Sequence, residues 1–183
     1  MKPYHTGSVS MPDKKSCDWG EFAEREKIFW FWLCGIDTLG PAGMFRIAEG
    51  LTSPEDASML DPAELSLRTG ISKKTADAVR AARKDLLKAQ EDYLKLAETG
   101  VRMCLYDSDE YPERLREIKS PPFALFIKGD LPCEDTASAA IVGSRACTPY
   151  GYAEAARFSE ELAGAGVQII SGLAAGIDRQ AHE

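Results

Sequence analysis

Residues 139–183 read AAIVGSRACTPYGYAEAARFSEELAGAGVQIISGLAAGIDRQAHE. Two short apolar runs, AAIVGS (139–144) and VQIISG (167–172), flank YGYAEAARFSEELAGAG (150–166), a helical stretch with Gly164 and Gly166 at its end. A continuous apolar run of this length predicts a strand buried on both faces. Strand, helix, strand at this spacing predicts a βαβ unit of a parallel sheet. Both runs close in glycine turns, VGSR at 142–145 and SGLAAGID at 171–178. In a parallel sheet these carboxyl ends lie on one edge, where ligands bind.

The turns carry a chemical expectation of their own. Gly143, Gly172 and Gly176 let the backbone approach a ligand closely or take positive φ. Backbone N–H groups at such turns, and at the start of the next helix, favour anions. Ser144 and Ser171 add hydroxyl donors, and Arg145 adds a permanent charge able to grip phosphate bidentately. Together they read as a phosphate cradle. The bland alternative is that the glycines only make tight βα turns. GSRACTPYG lacks the dinucleotide G-x-G-x-x-G spacing, and no P-loop Gly-Lys-Ser/Thr is present. No nucleophile–base pair stands out, so no enzyme activity is expected.

Working outward, VRMCLY (101–106) and FALFIKGD (123–130) predict further strands, separated by a brief helix in YPERLREIKSPP (111–122). Upstream, helix signals follow one another. Asp18 and Glu21 suggest a cap before EFAEREKIFWFWLC. GPAGMFRIAEG has Pro41 at a first helical position and Gly50 past its end. Ser53, Pro54 and Asp56 open the next helix, and Asp61, Pro62, Glu64 and Gly70 delimit another. A long helix is predicted from Ser72 to Gly100, with Ala76, Val79, Leu86, Leu87, Tyr93 and Leu94 as its apolar stripe. The expected fold class is α/β, arranged as a flexible tail (1–17), an all-α domain (18–99) and the opening of a parallel-sheet domain (100–183).

The chain has 183 residues, a net charge of −7 and a pI near 5.0. That balance argues against a surface coated for nucleic acid, although a local basic groove is compatible with it. Five scattered cysteines, with no CxxC pair, read as reduced and mostly buried thiols of a cytoplasmic protein. His5 and His182 offer little to a metal, and no metal or other cofactor is expected. The polar N-terminus lacks the apolar core of a signal peptide, and IFWFWLCGI is too short to span a membrane.

The segment IVGSRACTPYG…AARFSEELAGAGVQIISGLAAGIDRQAHE resembles the DNA-processing protein A family (DprA, also called Smf). DEYPERLREIKSPPFALFIKGDL (109–131) is similar to that family's lead-in, and residues 35–83 are similar to its SAM-like, helix-hairpin-helix region. The resemblance implies an extended Rossmann-like domain that binds single-stranded DNA, protects incoming DNA in natural transformation and loads the RecA recombinase. It implies no cofactor, no catalysis and a homodimer whose surface lies later in the domain. It assigns DNA-backbone contact to Arg145 in the loop Gly143–Ser144–Arg145. It also lines the same pocket with the loop running through Ser171, Gly172, Leu173, Ala174 and Gly176. Family members continue well beyond this length, so the chain reads as a fragment whose dimer surface is missing.

Other residues carry weaker expectations. Lys73 and Lys74, with Arg80 nearby, could meet DNA phosphate at a helical hairpin, or simply form a solvated face. Tyr150 could stack on a base or close the pocket. Phe29, Trp30, Phe31 and Trp32 are expected in the core, Asp178 is expected to cap or orient the last helix, and His182 to pack against it. Two alternatives stay open: a Rossmann-like nucleotide phosphoribohydrolase of the Lonely Guy type, whose Pro-Gly-Gly-x-Gly-Thr run is absent here, and a helical protein-interaction fragment.

Overall fold

The computed structural model describes residues 24–183. The expected tail, the Asp18–Glu21 cap, His5 and Cys17 lie outside the described residues. The chain divides into two compact units. One runs through Tyr111 and resumes at Leu115–Gly129; the other comprises Pro112–Arg114 and Asp130–Glu183. The expected break near residue 100 therefore falls at the start of a strand that belongs with the helices.

The first unit opens with α1 (Glu24–Cys34), α2 (Gly40–Gly50), α3 (Asp56–Met59) and α4 (Pro62–Thr69). Local capping chemistry sets several boundaries. Asp61 accepts from the amides of Ala63 and Glu64 at 2.9 and 3.0 Å, and Gly70 closes α4 in the left-handed region at φ 68°. The Ser53 hydroxyl accepts from the Glu55 amide while Asp56 accepts from the Ser53 amide, both at 3.2 Å. Gly50 is the last residue of α2 rather than the residue beyond it. A Cβ there would come within 2.7 Å of the Arg68 carbonyl oxygen, so its role is to let α2 and α4 approach.

The long helix expected from Ser72 is two helices. α5 (Lys73–Ala82) starts from Ser72, whose hydroxyl accepts from the Thr75 amide at 3.1 Å. A single 3-10 turn at Arg83–Asp85 then leads into α6 (Leu86–Glu98). The indole N–H of Trp32 donates to the Ala82 carbonyl at 2.9 Å, right where the helix tightens. The break rephases the apolar stripe. Ala76, Val79 and Tyr93 are buried, but Leu87 and Leu94 face solvent.

β1 (Val101–Leu105) and β2 (Ala124–Lys128) pair antiparallel, from Val101 opposite Lys128 to Leu105 opposite Ala124. Between them in sequence lies α7 (Glu113–Arg116). Phe123, just before β2, packs on Trp30 and Phe45 with ring centroids 4.6 and 5.2 Å apart. The same core holds Leu33, Ile47, Leu65, Val79, Met103 and Leu105, which is why the strand pair belongs to this unit. Phe29, Trp30 and Trp32 are buried as expected, and Phe31 is half-buried.

The second unit contains β3 (Ser138–Ala140), α8 (Pro149–Gly164), β4 (Gln168–Ile170) and the single-turn α9 (Ile177–Gln180). β3 and β4 pair in parallel, Ser138 opposite Gln168 and Ala140 opposite Ile170, with α8 as the crossover. The strands are shorter than the apolar runs. The expectation that both faces are buried is not met: Ser138, Ala140 and Ile170 are exposed, and so is Val142 beyond β3. Among the described residues of this unit the helical cover is α8 and the single turn of α9, too little to enclose two strands.

Candidate functional site

The expected site residues of the two glycine turns all belong to the second unit. The first turn follows β3 and ends where Thr148 caps α8 by accepting from the Gly151 amide at 3.1 Å. Ser144 Oγ accepts from the Ala146 amide at 3.2 Å and donates to the Ala146 carbonyl at 3.0 Å, closing the turn on itself. The second turn follows β4. Ser171 Oγ donates to the Ile141 carbonyl at 2.6 Å and ties the two strand ends together. Both hydroxyls expected as phosphate donors thus have partners within the protein.

Asp178 sits at the junction. It is 8% exposed, and its carboxylate accepts from the Gly143 amide at 3.0 Å and from the Gly172 amide at 3.2 Å. One side chain therefore holds the N–H groups of both glycine turns. α9 has no side-chain cap bond, so the cap expected of Asp178 is corrected: the carboxylate reaches across to the turns instead. A carboxylate this buried needs hydrogen-bond partners, and the two main-chain amides supply one to each oxygen.

Each turn glycine has an internal reason to be glycine. A Cβ on Gly143 would lie 2.7 Å from Ile177 Cγ1, and one on Gly172 would lie 3.0 Å from Asp178 Oδ2. Gly176 has φ 93°, and a Cβ there would lie 2.2 Å from the Ser144 carbonyl oxygen. That same oxygen accepts the Ile177 N–H at 3.2 Å, so α9 is built onto the first turn. Leu173 stands at φ 53°, a left-handed conformation that costs a branched side chain strain, and it is 67% exposed.

What remains available is narrower than the sequence suggests. Arg145 is exposed, and among the described residues its side chain has no bonding partner. The amides of Leu173, Ala174 and Ala175 make no donor bond among the described residues. Tyr150, in the first turn of α8, is 74% exposed. The other arginines of the unit are engaged: Arg114 with Ser138 and Glu134, Arg157 with Glu154 and Glu161, Arg179 with Glu183. The hydrogen bonds that Arg157 donates to Glu154 and Glu161 raise its guanidinium above its ordinary pKa. A nearby groove lined by Ala140, Val142, Ala155, Phe158, Leu162 and Ile177 is apolar, and neither Ser144 nor Arg145 lines it.

Outside this region, Lys73 and Lys74 are exposed on the first turn of α5, in the first unit, as is Arg80 on the same helix. His182, expected to pack against the last helix, is exposed. The thiols are not mostly buried either: of the described cysteines only Cys104 is buried, while Cys34 and Cys133 are exposed. The feature that sequence reasoning missed is the pair of hydrogen bonds by which Asp178 accepts from the amides of both turns. Its signal was an acidic residue two positions after the last glycine of the second turn.

The sequence profile of a family described as DNA recombination-mediator protein A matches residues 102–183. The Smf protein of Escherichia coli is 33% identical over 156 residues, covering 84% of this chain and 40% of that protein. The Smf protein of Borreliella burgdorferi is 39% identical over 97 residues, covering 53% of this chain and 30% of that protein. The chain thus spans less than half the length of these curated relatives. The X-ray structure of DNA processing protein A from Streptococcus pneumoniae aligns with a TM-score of 0.45 and 24% identity, covering 78% of this chain and 52% of that one. The chain belongs to the DprA/Smf family.

Proposed function

We propose, from that membership and from the paired glycine turns, that the chain carries a site for the phosphates of single-stranded DNA and binds without turnover. In this reading it serves DNA processing in natural transformation, acts in the cytoplasm, and hands its strand to a RecA-type recombinase as part of a homodimer. Its α/β architecture is read as a SAM-like helical unit followed by the start of a Rossmann-like sheet.

The observation that carries this reading is Arg145, an unengaged guanidinium on a turn held beside the second glycine loop. The second unit holds four arginines against nine carboxylates, so its overall field repels DNA. Recognition must therefore be local. Arg145 supplies the charge, and the amides of Leu173, Ala174 and Ala175 supply neutral donors of the kind that backbone nests offer to anions. Contacts of this type read phosphate and not base edges, so sequence preference should be weak.

The test is fluorescence anisotropy of a labelled oligo-dT titrated with the chain and with Arg145→Ala at several salt concentrations. Binding should weaken with salt. The substitution should lower affinity and reduce the log–log salt slope by about 0.7, one single-strand phosphate contact. Arg145→Ala binding as tightly as the parent, with the same slope, overturns the assignment.

A further inference from the structure

We infer that Asp178 is the positioning residue of this site, setting the separation of the two loops that present Arg145 and the Leu173–Ala175 amides. The inference rests on the phosphate-binding reading above and adds a residue that cannot itself contact the ligand favourably. A carboxylate repels phosphate, and this one is buried with both oxygens occupied by main-chain N–H groups. It takes the place an anion would otherwise have at the Gly143 and Gly172 amides. Those two amides are therefore scaffold, and the ligand is left to Arg145 and the more distal amides of the second loop.

The surrounding geometry supports a tie under close constraint. Gly143 is closed against Ile177 on one side and bonded to Asp178 on the other. Gly172 leaves 3.0 Å between an added Cβ and Asp178 Oδ2, so the carboxylate lies directly against the turn. The adjoining contact from the Ile177 N–H to the Ser144 carbonyl, 3.2 Å, brings the residue next to Asp178 onto the turn that carries Arg145. Loosening Asp178 would leave the Gly143 and Gly172 amides without their fixed acceptor and let the loops drift apart.

Asp178→Asn distinguishes positioning from charge. Asparagine keeps the shape but offers one acceptor oxygen, and its NH2 group would face the other amide. If Asp178 acted only by repelling phosphate, the neutral variant would bind oligo-dT more tightly. A positioning role predicts the opposite, an affinity loss of about tenfold with the salt slope unchanged. Residue-resolved amide exchange by NMR on the free protein supplies a readout independent of DNA. Protection should fall at Gly143 and Gly172 and stay in the centre of α8; a merely destabilised unit would lose it everywhere. Gly172→Ala, which displaces Oδ2 without removing the carboxylate, should weaken oligo-dT binding in the same direction and serves if the asparagine variant fails to fold. Tighter or unchanged oligo-dT binding by the folded variants overturns the inference, as does unchanged protection at both glycines. If the parent chain does not bind oligo-dT, the phosphate reading fails, and amide exchange alone still decides whether Asp178 ties the loops.

Discussion

Replacing Gly176 by alanine tests the join between the second loop and the first turn. Gly176 adopts φ 93°, ψ −132°, a region open essentially to glycine, and forcing alanine into it costs about 1–3 kcal/mol. The new Cβ would also stand 2.2 Å from the Ser144 carbonyl oxygen and 2.7 Å from that of Arg145, so the first turn must retreat by roughly an ångström to reach ordinary contact. The Ser144 oxygen is the acceptor for the Ile177 N–H, and losing that bond adds about 1 kcal/mol. Gly176→Ala should therefore destabilise the second unit by about 2–4 kcal/mol. Gly164→Ala is the matched control: it ends α8, nothing lies within 4 Å of its added Cβ, and it should be neutral or stabilising by up to about 1 kcal/mol. The assay uses the placement of the tryptophans. The second unit contains no tryptophan, whereas Trp30 and Trp32 are buried in the first, so their fluorescence follows the first unit while far-ultraviolet circular dichroism follows both. Urea titrations should show the dichroism signal lost earlier in Gly176→Ala. A Gly176→Ala chain that unfolds at the same urea concentration as the Gly164→Ala control would refute the proposed contact.

Two further outcomes follow from the first unit and from the thiols. Ile47 is fully buried in the core of α1, α2, α4 and α5, so Ile47→Ala should cost about 2–5 kcal/mol in tryptophan-monitored urea unfolding; a change below about 1 kcal/mol would contradict its placement. Among the described cysteines, hydrogen bonding with Thr136 holds the exposed Cys133 thiol below its ordinary pKa. Burial pushes the Cys34 thiol up to about 11, although part of that residue is exposed, and burial also raises Cys104. Because the thiolate is the reactive form, iodoacetamide at neutral pH should modify Cys133 before Cys34 and Cys104, read by peptide mass mapping. Faster labelling of Cys34 would count against this ordering.

Features whose cause lies within a few residues were legible in the sequence. Asp61 and Ser72 announce helix starts because a short side-chain oxygen meets an amide two or three residues on, and Gly70 announces a stop because its conformation disfavours a Cβ. Features whose cause lies far along the chain were not. Nothing in residues 72–100 signals the turn at 83–85, where the indole of Trp32 approaches from α1, fifty residues earlier. The strands at 101–105 and 124–128 were readable as strands, but their attachment to the helical core depends on Phe123 meeting Trp30 and Phe45.

The glycine turns divide along the same line, and the division bears on function. Their position after β3 and β4, and the demand for glycine, could be read directly. What each glycine accommodates could not: Gly143 meets Ile177, Gly172 meets Asp178, and Gly176 meets the Ser144 carbonyl. Each of these is a contact of the protein with itself, so the glycines alone say nothing about a ligand. What is left to meet a ligand once the turns have closed on themselves is Arg145 and the amides around the strained Leu173, none of which has a partner among the described residues. Strain at an exposed leucine persists only where the surrounding structure over-determines it. Here the restraint comes from Ser171, bonded to the end of β3, and from Asp178, which grips the Gly172 amide next to Leu173. The carboxylate that closes the scaffold is thus the group that keeps the loop's free amides on display. This predicts that loosening Asp178 and removing Arg145 impair the same ligand through different quantities, loop order in one case and phosphate count in the other.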